Sequence, residues 1–185
     1  MNIRPNAVEL QSIFDAAELL FSKEQIEFAI DQIAVKLSVE FAEADPVLVC
    51  IMKGGLVFTS DLMQRLRFPL TVDFIHVSRY QDKLAPDELT WLVHPTTDLT
   101  GRTVILLDDV LDYGITLAEV AQHSMFTDVK QLVIAVMLDK ELDRAKPIHP
   151  DFVALHSDDR YVFGRGMDCK GYFRNLPEIY ALPKA

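Results

Sequence analysis

Hydrophobic residues fall along this chain in two rhythms. Ile26, Ile30, Ile33, Leu37 and Phe41 recur at intervals of three or four, the spacing of one face of a helix. Ser22-Lys23-Glu24-Gln25 stands in front of them in the form of a capping box, so a long amphipathic helix is predicted to begin there. A shorter helix is predicted over 7–20. Beyond Pro46 the rhythm changes to uninterrupted apolar runs at 47–52 and 104–107 and to a run at 131–138 that is apolar after Gln131. Such short runs read as strands buried on both faces. Helical stretches predicted at 56–66 and 116–126 alternate with them, which implies an α/β fold with a central parallel sheet, right-handed crossovers and flanking helices. A strand at 70–77 with Val72 and Phe74 on one face, short strands at 91–93, 152–156 and 161–164, and a closing segment at 179–182 complete the reading. The polar, irregular segment 81–88 fits neither period and reads as a loop.

Composition narrows the classes. A chain of 185 residues that is 50% hydrophobic and 25% charged suits one soluble globular domain. Its formal net charge of −10 argues against non-specific binding to nucleic acid or to an anionic membrane. An anionic small molecule stays compatible, provided local amides, Lys, Arg or a divalent cation outweigh the global field. The two cysteines, Cys50 and Cys169, are isolated, with no metal-binding spacing, as expected in a reducing cytoplasm. The N-terminus lacks a signal pattern, and no segment approaches 18 uninterrupted apolar residues, so a cytoplasmic location without membrane insertion is expected.

Candidate chemistry gathers behind the apolar runs. Ligands of an open parallel sheet bind at the carboxyl ends of its strands. The run Val104-Ile105-Leu106-Leu107 leads into Asp108-Asp109-Val110-Leu111-Asp112-Tyr113-Gly114-Ile115-Thr116. One acid there would be an ordinary helix cap, and Gly-x-Thr an ordinary turn. Three acids that close together repel one another, so cations or hydroxyl groups are needed to satisfy them. Lys53-Gly54-Gly55 follows the run at 47–52, and Asp139-Lys140 the run at 131–138. Two glycines let backbone amides approach a bound anion.

The stretch 104–116 resembles the phosphoribosyl pyrophosphate (PRPP) loop of the type I phosphoribosyltransferases, and the likeness extends from Val47 to Leu182. Lys53-Gly54-Gly55, Val72-Asp73-Phe74 with Ser78-Arg79-Tyr80, Leu138-Asp139-Lys140, Asp151-Phe152-Val153, Tyr161-Val162-Phe163-Gly164, Asp168 and Phe173-Arg174-Asn175-Leu176-Pro177 are similar to motifs of the 6-oxopurine branch, the hypoxanthine-guanine phosphoribosyltransferases. The resemblance implies the type I fold as a single domain over 1–185, with a small hood from about 1–20 and 151–185. It implies transfer of 5-phosphoribose from PRPP to hypoxanthine or guanine with Mg²⁺, in a homodimer or homotetramer. By the same resemblance Asp108 and Asp109 receive the ribose hydroxyls and a magnesium shell, and Asp112 is the catalytic acid-base at purine N7. Tyr113, Gly114, Ile115 and Thr116 wrap the 5-phosphate, and Lys53, Gly54 and Arg174 serve the pyrophosphate. Lys140 reads the 6-oxo group, Tyr161 stacks on the base beside Val162, and Asp168 borders the base and holds a second magnesium. Arg79 and Tyr80 root a flexible lid over 81–88.

Three residues depart from the family pattern. Arg79 replaces a common Ser, Tyr113 and Ile115 replace small or polar residues, and Tyr161 stands where Phe or another aromatic is usual. A xanthine-preferring enzyme, or a sensor of PRPP or a nucleotide on the same fold, is the competing reading; the absence of a basic stripe counts against a nucleic-acid-binding regulator.

Overall fold

The three apolar runs are adjacent strands in the computed structural model, which describes residues 4–79 and 89–184. β2 (Val47–Met52) lies between β3 (Thr71–Arg79) and β5 (Thr103–Leu111), followed outward by β6 (Gln131–Glu141) and β7 (Phe152–Asp158), all parallel. β4 (Leu89–Val93) closes the other edge antiparallel to β3, giving the order β4-β3-β2-β5-β6-β7. The stretches 47–52, 104–107 and 132–138 of the central strands are apolar at every position because both sheet faces are covered. Leu48, Ile105 and Leu107 face a layer that includes α2 (Lys23–Phe41) and α3 (Gly55–Met63). Their neighbours Val47, Val49, Val104 and Leu106 face the opposite cluster, with Leu117 and Val120 of α4 (Ile115–Ala121).

The long helix starts where its cap predicts. The Ser22 amide donates to Gln25 Oε1 at 2.8 Å, and the Gln25 amide returns to Ser22 Oγ at 3.4 Å. Its apolar stripe, Ile26, Ile30, Ile33, Leu37 and Phe41, is buried on the sheet.

The structure corrects several boundaries. The first helix, α1 (Ala7–Ala16), stops short of the predicted Leu20, and β1 (Glu18–Phe21) is instead a strand. β1 pairs antiparallel with β9 (Ile179–Ala181), which also pairs with β8 (Val162–Phe163) in a second, three-stranded sheet. β7, within the segment 151–185 expected to form part of a hood, pairs with β6 in the large sheet. β5 and β6 run further than their apolar stretches, so Asp108, Asp109, Asp139 and Lys140 lie within strands rather than in loops. α4 is shorter than predicted, and the His123 side chain caps a 3-10 turn at Ser124–Phe126. On β3 the apolar pair Val72 and Phe74 is exposed while Asp73 and Ile75 are buried. α3 packs over β2 and β5, leaving that part of the β3 face uncovered. The predicted lid at 81–88, with Tyr80, lies outside the described residues.

These packing relations set two stability outcomes. Ile30→Ala opens a cavity beneath α2 and should cost about 2–5 kcal/mol, whereas Ser22→Ala removes only the cap and should cost about 1 kcal/mol. Urea unfolding of both variants at one protein concentration reads the difference.

Candidate active site

β2 passes through α3 to β3 on one side of the sheet, while β5 passes through α4 to β6 on the other. The chain therefore leaves these neighbouring strands in opposite directions, and a crevice opens between their carboxyl ends. Lys53, Gly54, Asp108, Asp109, Asp112, Thr116 and Lys140 line a cavity of about 400 Å³ there. Tyr161, Val162, Asp168 and Arg174 reach the same cavity from the segment around the small sheet. Tyr113, Gly114 and Ile115 line an adjoining cavity of about 250 Å³, together with Arg79, Asp108, Asp112 and Thr116.

Gly54 shows how tightly the crevice is built. A Cβ on it would stand 2.0 Å from Asp109 Oδ2, so only glycine lets this backbone lie against the carboxylate. One residue earlier, the Met52–Lys53 peptide bond is cis. At the end of β5, Gly114 takes φ +77° and turns the chain into α4, a left-handed conformation suited to glycine.

Burial raises the Asp108 carboxyl well above the usual carboxylate range, and the neighbouring Asp109 charge adds to the effect. Burial raises Asp109 as well, opposed by a hydrogen bond with Asp108 and by the charge of Arg174. Arg174 Nη1 lies 3.9 Å from Asp109 Oδ2, Nη2 donates to Asp168, and Nη1 donates to the Gly166 carbonyl at 2.6 Å. Lys140, 6% exposed, donates to Asp112 Oδ2 at 3.0 Å. Asp112 Oδ1 is buried with no hydrogen-bond partner among the described residues. The Tyr161 hydroxyl donates to the Asp168 carbonyl at 3.1 Å, leaving its ring half exposed. Burial pushes the Cys50 thiol up to about 11, so it is a neutral group and no nucleophile at pH 7.

Residues 17–170 match the phosphoribosyl transferase domain. The chain belongs to the phosphoribosyltransferase family. It is 30% identical over 172 residues to the hypoxanthine-guanine phosphoribosyltransferase of Bacillus subtilis strain 168, covering 92% of this chain and 96% of that one. Among solved structures it is similar to a hypoxanthine phosphoribosyltransferase from Staphylococcus aureus, with a TM-score of 0.85, 28% identity and coverage of 93% and 95%. It is also similar to the Trypanosoma cruzi enzyme in complex with its product IMP, with a TM-score of 0.83, 27% identity and coverage of 91% and 96%.

As a phosphoribosyltransferase, the chain carries features that its motifs did not disclose. Lys146, whose side chain is 9% exposed, donates to the Leu111 carbonyl at 2.9 Å and to Asp139 Oδ1 and the Lys140 carbonyl at 2.5 Å. It ties the ends of β5 and β6 together behind the Lys140–Asp112 pair. No sequence signal marks it, since a lysine in the irregular β6–β7 connection is ordinarily solvated. Met167 also lines the main cavity. The Arg144 guanidinium lies 3.8 Å over the Tyr113 ring, a cation–π contact that gives this family departure a partner.

Gly54→Ala should displace Asp109 and lower kcat/KM for PRPP at least about 10²-fold, the scale of losses when a catalytic geometry shifts by an ångström. Steady-state kinetics, with circular dichroism as a check on the fold, would measure it; wild-type kinetics would show that the contact relaxes harmlessly.

Proposed function

We propose that this chain transfers 5-phosphoribose from PRPP to N9 of hypoxanthine or guanine, releasing pyrophosphate. The observation that carries this reading is the 3.0 Å pairing of Lys140 with Asp112 inside the cavity that also contains the acid pair and Tyr161. O6 and N7 of a 6-oxopurine lie side by side on one edge of the base, so the groups that read them must be neighbours. The Lys140 ammonium donates to O6. Asp112, whose second oxygen is buried with no hydrogen-bond partner among the described residues, accepts the N7 proton as N9 forms its bond to C1 of the ribose.

The remaining residues hold the other ends of the substrates. Amides of 113–116 and the Thr116 hydroxyl bind the 5-phosphate, and Asp108 and Asp109 accept the ribose hydroxyls. Tyr161 stacks on the base next to Val162, while Lys53, Gly54 and Arg174 border the pyrophosphate. C1 becomes cationic as its bond to pyrophosphate breaks, and closure of the site against water protects it.

Magnesium fits this donor set. Asp108 and Asp109 are hard oxygen donors whose burial disfavours their unneutralised charge. Among the described residues, no group of three His, Cys, Asp or Glu could hold a metal. Mg²⁺ is commonly held by one or two carboxylates with substrate oxygens completing its shell, so Asp108 and Asp109 would hold one ion and Asp168 a second. When bound, the metal would supply charge neutralisation to the pyrophosphate and ribose oxygens.

The enzyme would work in the cytoplasm as a homodimer or homotetramer, with the exposed Val72 and Phe74 of β3 as apolar surface for a second copy to cover. No helix among the described residues is long and apolar enough to cross a membrane.

Purified protein assayed with PRPP, Mg²⁺ and single bases should form nucleotide from hypoxanthine or guanine and not from adenine, and EDTA should abolish turnover. Adenine use would overturn the reading. Asp112→Asn should lower kcat about 10²-fold with KM for PRPP nearly unchanged; retained turnover would remove Asp112 from catalysis. Lys140→Met should erase the preference for hypoxanthine over adenine, because the ammonium can pair with a 6-oxo acceptor and not with a 6-amino donor. A preserved preference would assign the reading of position 6 to another group.

A further inference from the structure

Arg79 ends β3 as its last residue and reaches across to the phosphate loop. Its Nε donates to Thr116 Oγ1 at 2.9 Å, and its Nη2 lies 2.9 Å from Glu119 Oε1. The side chain is 19% exposed, and it lines the 250 Å³ cavity shared with Gly114 and Thr116. Among the described residues that line this cavity, Arg79 is the only cation, and Asp108 and Asp112 are there as well. Three other cations at this edge of the sheet are engaged with groups of their own. Lys140 pairs with Asp112, Lys146 with Asp139, and Arg144 lies over Tyr113.

A phosphate dianion entering this cavity meets two aspartates and, from the loop itself, only uncharged amide and hydroxyl donors. A cation at the cavity wall changes that balance, and a guanidinium does so with a planar, bidentate fork that matches phosphate oxygens. Glu119 is an exchangeable partner: its side chain is 44% exposed, and so solvated a pair contributes little to stability.

We propose that Arg79 is a direct ligand of the 5-phosphate of PRPP, which displaces Glu119 from the guanidinium while Thr116 Oγ1 remains shared. This rests on the reading that loop 113–116 holds the 5-phosphate. Arg79 is then the residue that makes the site select a phosphorylated ribose, a duty taken from β3 rather than from the loop. In the ligand-free protein Glu119 and Thr116 hold the guanidinium ready at the cavity wall.

The test is calorimetric titration of the full chain with ribose 5-phosphate, IMP and inosine. Arg79→Ala should weaken ribose 5-phosphate and IMP about 10- to 100-fold, the range for a hydrogen-bonded charge pair, and leave inosine unchanged. Arg79→Lys, which keeps the charge and loses the fork, should recover part of the loss. Glu119→Gln should tighten ribose 5-phosphate and leave inosine as it was. A lower melting temperature in Arg79→Ala with a wild-type ratio of IMP to inosine affinity would reduce Arg79 to a tie between β3 and α4, overturning the proposal. Should Arg79→Ala not fold, unaltered ribose 5-phosphate binding in Glu119→Gln would do the same. Failure of the wild type to make IMP or GMP would instead overturn the assigned base chemistry, and the ribose 5-phosphate titration would still judge Arg79.

Discussion

Two carboxylates, Asp108 and Asp109, stand side by side in the last part of β5 with little water around them, and the rest of the site is arranged about that fact. Burial alone raises the affinity of both for protons, so their ionised forms need cations that bulk water cannot supply. The protein provides Arg174 at 3.9 Å from Asp109. Gly54 lies close enough that a Cβ in place of its hydrogen would have to displace the Asp109 carboxylate. An apolar strand end would be more comfortable at this position. Such a pair suits a site that receives hydroxyl groups or a cation.

The small sheet matters because it brings the far ends of the chain to this pair. Arg165, 7% exposed, donates to the Pro177 carbonyl at 3.1 Å and pairs with Asp61 of α3 at 2.8 Å. That buried ion pair locks the segment carrying Tyr161, Asp168 and Arg174 onto the helix that follows Lys53-Gly54-Gly55. The two sides of the main cavity are therefore tied to each other. Behind it, Lys146 bonds to β5 through Leu111 and to β6 through Asp139 and Lys140. The separation of Asp112 and Lys140 is thereby held by main-chain contacts as well as by their own ion pair.

Arg79 and Tyr113, two departures from the family pattern, are each engaged by a second residue, Glu119 and Arg144. Both lie on the wall of the smaller cavity, with Gly114 and Thr116. The third departure, Tyr161, lines the main cavity instead, while Lys140 and the acids follow the family motifs.

Periodicity alone determined the α/β class, the capped helix α2 and the strands β2, β5 and β6, because each depends on residues within one turn or one pleat of its neighbours. The motif residues at the strand ends were legible for the same reason: in a parallel sheet, strand ends share one edge, so acids, glycines and a lysine after successive apolar runs must meet. Other features depended on partners far along the chain. Glu18–Phe21 is a strand because β9 pairs with it, and nothing local opposes its continuing the preceding helix. Val72 and Phe74 are exposed because α3 covers β2 and β5 instead, which alternation cannot reveal. The clamp made by Lys146 and the reach of Arg79 to Thr116 are set by how connections fold back over the sheet. A long, flexible cationic side chain carries no local pattern, and tertiary structure alone decides which carbonyl, carboxylate or hydroxyl it meets.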